Sequence, residues 1–386
     1  MERETNQQTE INEFNSALFS LFKSSGAYQT NRDWIASPLS IYAASLLLLE
    51  GLEGESKEEW TEALQLNPEG SLLPTAVLAK LKDLLTNESN HLKILNSVWV
   101  NESLQVKKAY QKKVETEYEA AIKPIAMNRR SVQEINEWVS EGTSGLIDSV
   151  IESLDAKDLL VIINAIYFKD KWSKQFKPEN TKQLTFFQSN QVKIPLFFMK
   201  QQSKYRYLKA GGFSLIALKT ARSKASFVAC MPDDNNQFDP ITDFEVEYLD
   251  QLLSTKKQTL VELELPKFKF DQTLNLVEIL KGLGVKKVFN SRDCDDFEGI
   301  FQDQKEGYVS SFIHKVCIDA NEVGVEAAAV SVIRVKKSKR ARTPNEKVSL
   351  RFNRPFLFFI VEEDSKLILF SGVYRGHKQA GDGGDN

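Results

Sequence analysis

The sequence predicts an α+β protein. Three observations carry this: helical periodicity fills the first third, long and mostly non-alternating strand-like runs fill the second half, and the regular βαβ alternation is missing. The 386 residues are 42% hydrophobic and 27% charged, with 24 Phe and 11 Pro. That is ordinary globular composition with enough apolar surface for a large core. No Pro/Gly linker or internal repeat divides the chain, so residues 1–386 read as one domain with a disordered tail at about 379–386.

In chain order, Ile11, Phe14, Leu18, Leu21 and Phe22 share one helical face. The apolar run Leu39 to Leu49 follows Ser37-Pro38, a helix-start signal with Pro in the first turn. Helices are predicted next at 57–66 and 75–86, a strand at 92–100, helices at 106–118 and 131–154, and a strand at 159–168. The second half predicts strands at 213–218, 226–231, 260–270 and 356–361, with one inserted helix at 272–283.

The net charge of −3 excludes a chain that binds nucleic acid through its overall charge, so any basic partner site is local. Cys230, Cys294 and Cys317 are far apart with no CxxC pair, which predicts buried free thiols in a reducing compartment. The polar start and the lack of an apolar run of about 18 residues predict a soluble, cytoplasmic or nucleocytoplasmic chain, with export by an unconventional route left open.

Enzyme chemistry finds no footing. The three histidines, His91, His314 and His377, sit in no HExxH, and no GxSxG elbow, Walker A or GxGxxG fingerprint is present. His314 lies in an apolar run and reads as a satisfied core residue. Asp233-Asp234 and Asp295-Asp296 read as solvated turns. No cofactor or metal is expected.

One segment is unusual. From Asn321 to Val335, period-two reading puts Val325, Ala327, Ala329, Ser331, Ile333 and Val335 on a small, apolar face. Glu326, Ala328, Val330, Val332 and Arg334 fall on the other. Triple Ala is a poor strand former, and alone the segment would read equally as a short surface helix. A segment poised between states suits a loop that changes conformation.

Further motifs give that segment a context. Trp34-Ile35-Ala36-Ser37-Pro38-Leu39-Ser40, Asn164-Ala165 with Phe168 and Trp172, Leu265-Pro266-Lys267-Phe268, His314-Lys315 and Phe352-Asn353-Arg354-Pro355-Phe356 resemble, in order, signatures of the serpins. The chain resembles the intracellular, ovalbumin-like type without a cleaved signal peptide. The resemblance implies three β-sheets, about eight or nine helices and an exposed reactive-centre loop, here about 323–347. It also implies suicide inhibition. A protease cuts the loop and forms an acyl-enzyme, the loop inserts into the central sheet, and the covalently held protease is distorted, with the drive stored in a metastable fold. A covalent complex with a serine protease is the expected partnership, the inhibitor itself being no enzyme and expected to be a monomer.

Residue by residue, the resemblance assigns Ser37, Ser40, Asn164 and His314 to a shutter beneath the sheet. It assigns Trp172, Lys267 and Glu322 to the breach where the loop enters, with Lys267–Glu322 as an ion pair. The hinge comprises Glu322, Gly324, Val325, Ala327, Ala328 and Ala329. Val325 stands where the family prefers Thr and Val323 where it usually has a charge. Val is buried at little cost, so the hinge reads as competent.

The usual family spacing from Gly324 lands on Ser338, but the loop is longer than the common family length. Lys337-Ser338-Lys339-Arg340 suits furin- or kexin-like proteases, and Arg340 or Arg342 suits a trypsin-like pocket holding a carboxylate. Insertion should stop near Lys336 or Lys337, which resist burial. The expected scissile bond is therefore Arg340–Ala341, with Ser338 and Arg342 as alternatives. Cutting there leaves roughly 7 Å of slack at about 3.3 Å per residue.

The rival reading takes the basic run Lys336 to Arg342 as a polyanion-binding or nuclear-import patch on a non-inhibitory or chaperone serpin. Weak polyanion binding is expected in either case. No membrane contact and no specific nucleic acid is expected.

Overall fold

The computed structural model describes residues 11–17, 19–20, 23, 32–64, 83, 91–189, 192–233, 240–292, 294–302, 306–325 and 347–377. Seven helices lie among them: α1 (helical at 11–17 and 19–20), α2 (Pro38–Leu49), α3 (Gly54–Ala63), α4 (Lys108–Tyr118), α5 (Arg129–Gly142), α6 (Glu247–Ser254) and α7 (Val277–Gly282). The strands are β1 (Trp34–Ala36), β2 (Leu92–Asn101), β3 (Ala121–Ile125), β4 (Leu160–Phe168), β5 (Asp170–Lys171), β6 (Lys182–Phe187), β7 (Lys193–Ala210) and β8 (Phe213–Lys219). They continue with β9 (Ala225–Pro232), β10 (Thr259–Pro266), β11 (Phe268–Asn275), β12 (Val309–Ala320), β13 (Gly324–Val325), β14 (Val348–Arg351), β15 (Phe356–Glu362) and β16 (Ile368–Tyr374).

Seven strands form one sheet in the order β3-β2-β4-β12-β13-β5, with β11 on the free side of β12. Nine strands form the other, β1-β16-β15-β9-β8-β7-β10-β14, with β6 on β7. Its halves share the long β7, which pairs with β6 and β10 and then, from Arg206, with β8. The three sheets of the resemblance thus appear with two of them hydrogen-bonded through one strand. The described residues that flank 326–346 lie on different sheets: Val325 ends β13, and β14 pairs parallel with β10.

The core follows from sequence. Every residue of α2 is buried, so this helix reads as apolar all round and lies between sheets, packed on β4 and β16. All nine residues of β4 are buried, which makes it a non-alternating run covered on both faces. On its outer side α5 packs Ile135 and Val139 against Trp99, Val161, Ile163 and Ile313, so the helix straps across β2, β4 and β12.

Several predicted elements move. Helix 57–66 sits at Gly54–Ala63, because Asp296 accepts from Ser56 N–H at 2.9 Å and caps it from 240 positions away. Asp296 is therefore a buried cap rather than a solvated turn. The 131–154 helix stops at Gly142. Ser144 and Gly145 take positive φ, and the Thr143 hydroxyl holds the turn through Val139 O (2.8 Å) and Ile147 N–H (3.1 Å). The 260–270 strand breaks at Lys267 into β10 and β11. The predicted 272–283 helix shrinks to Val277–Gly282, since Gln272 to Asn275 pair with Val316 to Ile313. Cys230 and Cys294 are buried, but Cys317 is half-buried. Apart from Asp83, which is helical, the predicted 75–86 helix lies outside the described residues, as does the tail. No described helix is long and apolar enough to cross a membrane.

Candidate functional site

β4 and β12 are parallel neighbours, paired from Val309↔Leu160 to Cys317↔Tyr167, and His314 lies directly beside Asn164. Both side chains are fully buried. His314 Nε2 accepts from Ser37 N–H at 3.1 Å, which leaves the proton on Nδ1 to be donated to Asn164 Oδ1 at 2.5 Å. The Asn164 amide donates to Ser40 Oγ and to Asn96 Oδ1, each at 2.6 Å. Ser37 Oγ accepts from Ser40 N–H at 3.2 Å and donates to Leu369 O at 2.6 Å. Ser37 is the N-cap of α2, so the start signal read from sequence also delivers a backbone donor to the histidine. The four residues expected together are together. Asn96 is a fifth member, and its only sequence signal is an amide inside an apolar strand run.

Burial lowers the His314 pKa to about 3, so the ring is neutral in the fold. The unfolded chain binds a proton here between about pH 6.5 and 3 while the native chain does not, so stability rises with pH across that window and is complete above it. Acidification from pH 6.5 to 5 is expected to cost about 2 kcal/mol from this group, read by urea unfolding. His314→Asn should remove that part of the slope; an unchanged slope would contradict a neutral, buried ring.

The top of the β4–β12 seam is occupied. β13 is antiparallel to both its neighbours: Gly324 pairs with Lys171, and Val325 with Asp170 and Ala320. Val325 is 1% exposed, the inward position that alternation predicted. A Cβ on Gly324 would lie 2.1 Å from Asp170 O and 2.6 Å from Lys171 Cα, so this close approach of two backbones requires glycine.

Trp172 holds the segment just before Gly324. Its indole N–H donates to Asn321 O at 2.7 Å and its backbone N–H to Val323 O at 2.9 Å. Glu322 meets Lys267 at 2.9 Å and accepts from Thr181 Oγ at 2.8 Å. Burial alone would raise the Glu322 pKa, but these two partners outweigh it and hold the carboxyl below its usual range.

Sequence reasoning missed Asp170, Thr181 and Asn321. Asp170 anchors the other flank of β13, its carboxylate accepting from Ser223 N–H (2.6 Å) and Ser223 Oγ (2.7 Å). Ala327, Ala328, Ala329, Ser338, Arg340, Ala341 and Arg342 lie outside the described residues.

A protein-family model described as serpin (serine protease inhibitor) matches residues 12–375. Serine protease inhibitor 42Dd of Drosophila melanogaster is 30% identical over 356 residues, covering 89% of this chain and 91% of that protein. Among solved structures, native Tengpin, a thermophilic serpin, superposes with a TM-score of 0.81 at 26% identity, covering 94% of each chain. Human thyroxine-binding globulin in complex with its hormone gives 0.84 at 21% identity, covering 96% of this chain and 99% of that one, a likeness of fold. The buried Ser37–His314–Asn164 cluster and the short β13 strand at the sheet's top thus stand on the framework these proteins share, and the chain belongs to the serpin family.

Proposed function

We propose that this serpin traps serine-type proteases by inserting its cleaved bait loop between β4 and β12. One observation carries the reading: β13 already lies antiparallel to both flanks at the head of that parallel seam, with Val325 turned into the core. Chain following Val325 in the same direction would replace one parallel ladder by two antiparallel ones, which pair slightly better per residue. The His314–Asn164 hydrogen bond bridges the two strands and must open as the loop passes, so the cluster acts as a latch.

The chemistry belongs to the protease. Its serine Oγ attacks the Arg340 carbonyl carbon, the Arg340–Ala341 C–N bond breaks, and Ala341 leaves as a new amine after protonation by the protease's histidine. The chain is then an ester of the enzyme, and insertion drags the held protease along and distorts its active site before the ester hydrolyses. Arg340 suits a pocket holding a carboxylate, which supports trypsin-like targets, and the basic residues before it suit furin- or kexin-like ones. The same run, Lys336 to Arg342, would add weak attraction for polyanions.

Incubation with trypsin is expected to give an SDS-stable species of the summed masses less the peptide that starts at Ala341, and that freed peptide is read by mass spectrometry. Clean loop cleavage without a complex would sink the inhibitory reading and leave a binding module.

A further inference from the structure

We propose that the cleft beside Trp172, where the two halves of the nine-stranded sheet separate, binds a small organic anion: a carboxylate or sulfonate on a compact apolar body. The cleft exists for a topological reason. At Tyr205 strand β7 is still paired with Thr259 of β10, and at Arg206 it is paired with Ala217 of β8. The two neighbours diverge and leave a cavity of about 200 Å³. A single water takes about 30 Å³ of liquid volume, so the space holds more than one solvent molecule.

Its lining is one-signed. Lys174, Lys204, Arg206 and Lys219 contribute to it, and among the described residues no acidic side chain does. Glu363 pairs with Arg206 and lies 3.5 Å from Lys219, which offsets part of that charge. The Lys174 ammonium meets the neutral Ser203 hydroxyl, at 2.9 Å. Tyr205 is 6% exposed, and its buried hydroxyl has no hydrogen-bond partner among the described residues. A buried donor left unmade costs about 1–3 kcal/mol, so native proteins seldom carry one without a use. Burial pushes the Tyr205 phenol up, which keeps it a neutral donor. Tyr205 lines the same cleft as these cations, so a small shift of its ring would offer the unmet hydroxyl to an anion's head, with apolar Trp172 and Leu218 beside its body.

The cleft also reaches the hinge, because Trp172, one of its lining residues, donates its indole N–H to Asn321 O. An occupant braces Trp172 and slows hinge movement. That coupling rests on the inhibitory reading; the site itself does not.

The test is calorimetric titration of the full chain with benzoate, with benzyl alcohol as the uncharged counterpart, repeated on Tyr205→Phe and Lys204→Gln. Benzoate is expected to bind at least tenfold more tightly than benzyl alcohol, and either substitution should weaken it by about tenfold. The Tyr205→Phe variant keeps the ring and so the fold, which its unfolding midpoint will verify. Equal binding of the two probes, or undiminished binding by a folded Tyr205→Phe variant, overturns the site. Affinity should also change once the bait loop has been cleaved and inserted, since coupling is reciprocal. An unchanged affinity overturns the coupling. If cleavage leaves the unfolding midpoint where it was, no insertion occurred; trapping and coupling then fall together, while the anion site stands or falls on the benzoate data.

Discussion

Val325→Glu is expected to turn the protein from a trap into a substrate, cleaved at its loop at the ordinary rate but yielding no SDS-stable complex. Val325 is 1% exposed and seated between Ala320 and Asp170. A carboxylate there faces the Asp170 backbone and loses its water without gaining a cation, and an uncompensated buried charge costs several kcal/mol. The charge is expected to push residue 325 out of the sheet in the intact chain, so insertion must force it back in; a penalty of about 4 kcal/mol slows that step about a thousandfold, which lets hydrolysis of the acyl-enzyme win. Val325→Thr has nearly the same shape and should retain complex formation. The fraction of protease captured covalently, compared across the three chains, is the readout; a Glu variant that captures as well as Val would rule out any need for this residue to be buried in the sheet as the loop inserts. Gly324→Ala should act in the same direction, because the Asp170 and Lys171 backbones cannot yield to its Cβ.

Asn164→Ala is expected to produce the largest loss of stability. The amide serves three partners at once, accepting from His314 and donating to Ser40 and Asn96, all of them buried. Removing it leaves the His314 Nδ1–H and the Ser40 and Asn96 oxygens unmet by that group, beside an Asn96 amide nitrogen that already lacks a partner among the described residues. The expected loss is about 3 kcal/mol or more in urea unfolding, against about 1 kcal/mol for Ser40→Ala, which deletes a single bond. Equal losses for the two variants would mean that the amide is no hub.

The fold was legible wherever the signal is local. Ser37-Pro38 before an apolar run announces α2, and the unbroken apolar stretch Leu160 to Phe168 announces a doubly covered strand. What failed depended on distant partners. Asp296 caps α3 from the far end of the chain, and Gln272 to Asn275 become strand only because β12 offers an edge. The longest strand, β7, went unread: Pro195 and the polar Lys200-Gln-Gln-Ser-Lys204 give it no clean alternation, since it passes from one sheet half to the other and changes neighbours midway.

The site divides the same way. Ser37, Ser40, Asn164, His314, Trp172, Lys267 and Glu322 were named through motif resemblance, and the structure brings them into two clusters. Asn96, Asp170, Thr181 and Asn321 carry no motif. Each matters through a hydrogen bond made only after the strands align, which no spacing along the chain announces.

The central claim is that the β4–β12 seam accepts the cleaved loop, and thermal unfolding before and after a single cut in residues 336–342 tests it most directly. Insertion of the stretch after Val325 would add about ten ladder hydrogen bonds at about 1 kcal/mol each, so the cut chain is expected to unfold at a markedly higher temperature than the intact one. A cut chain that unfolds at the same temperature, or lower, would contradict insertion and with it the trap.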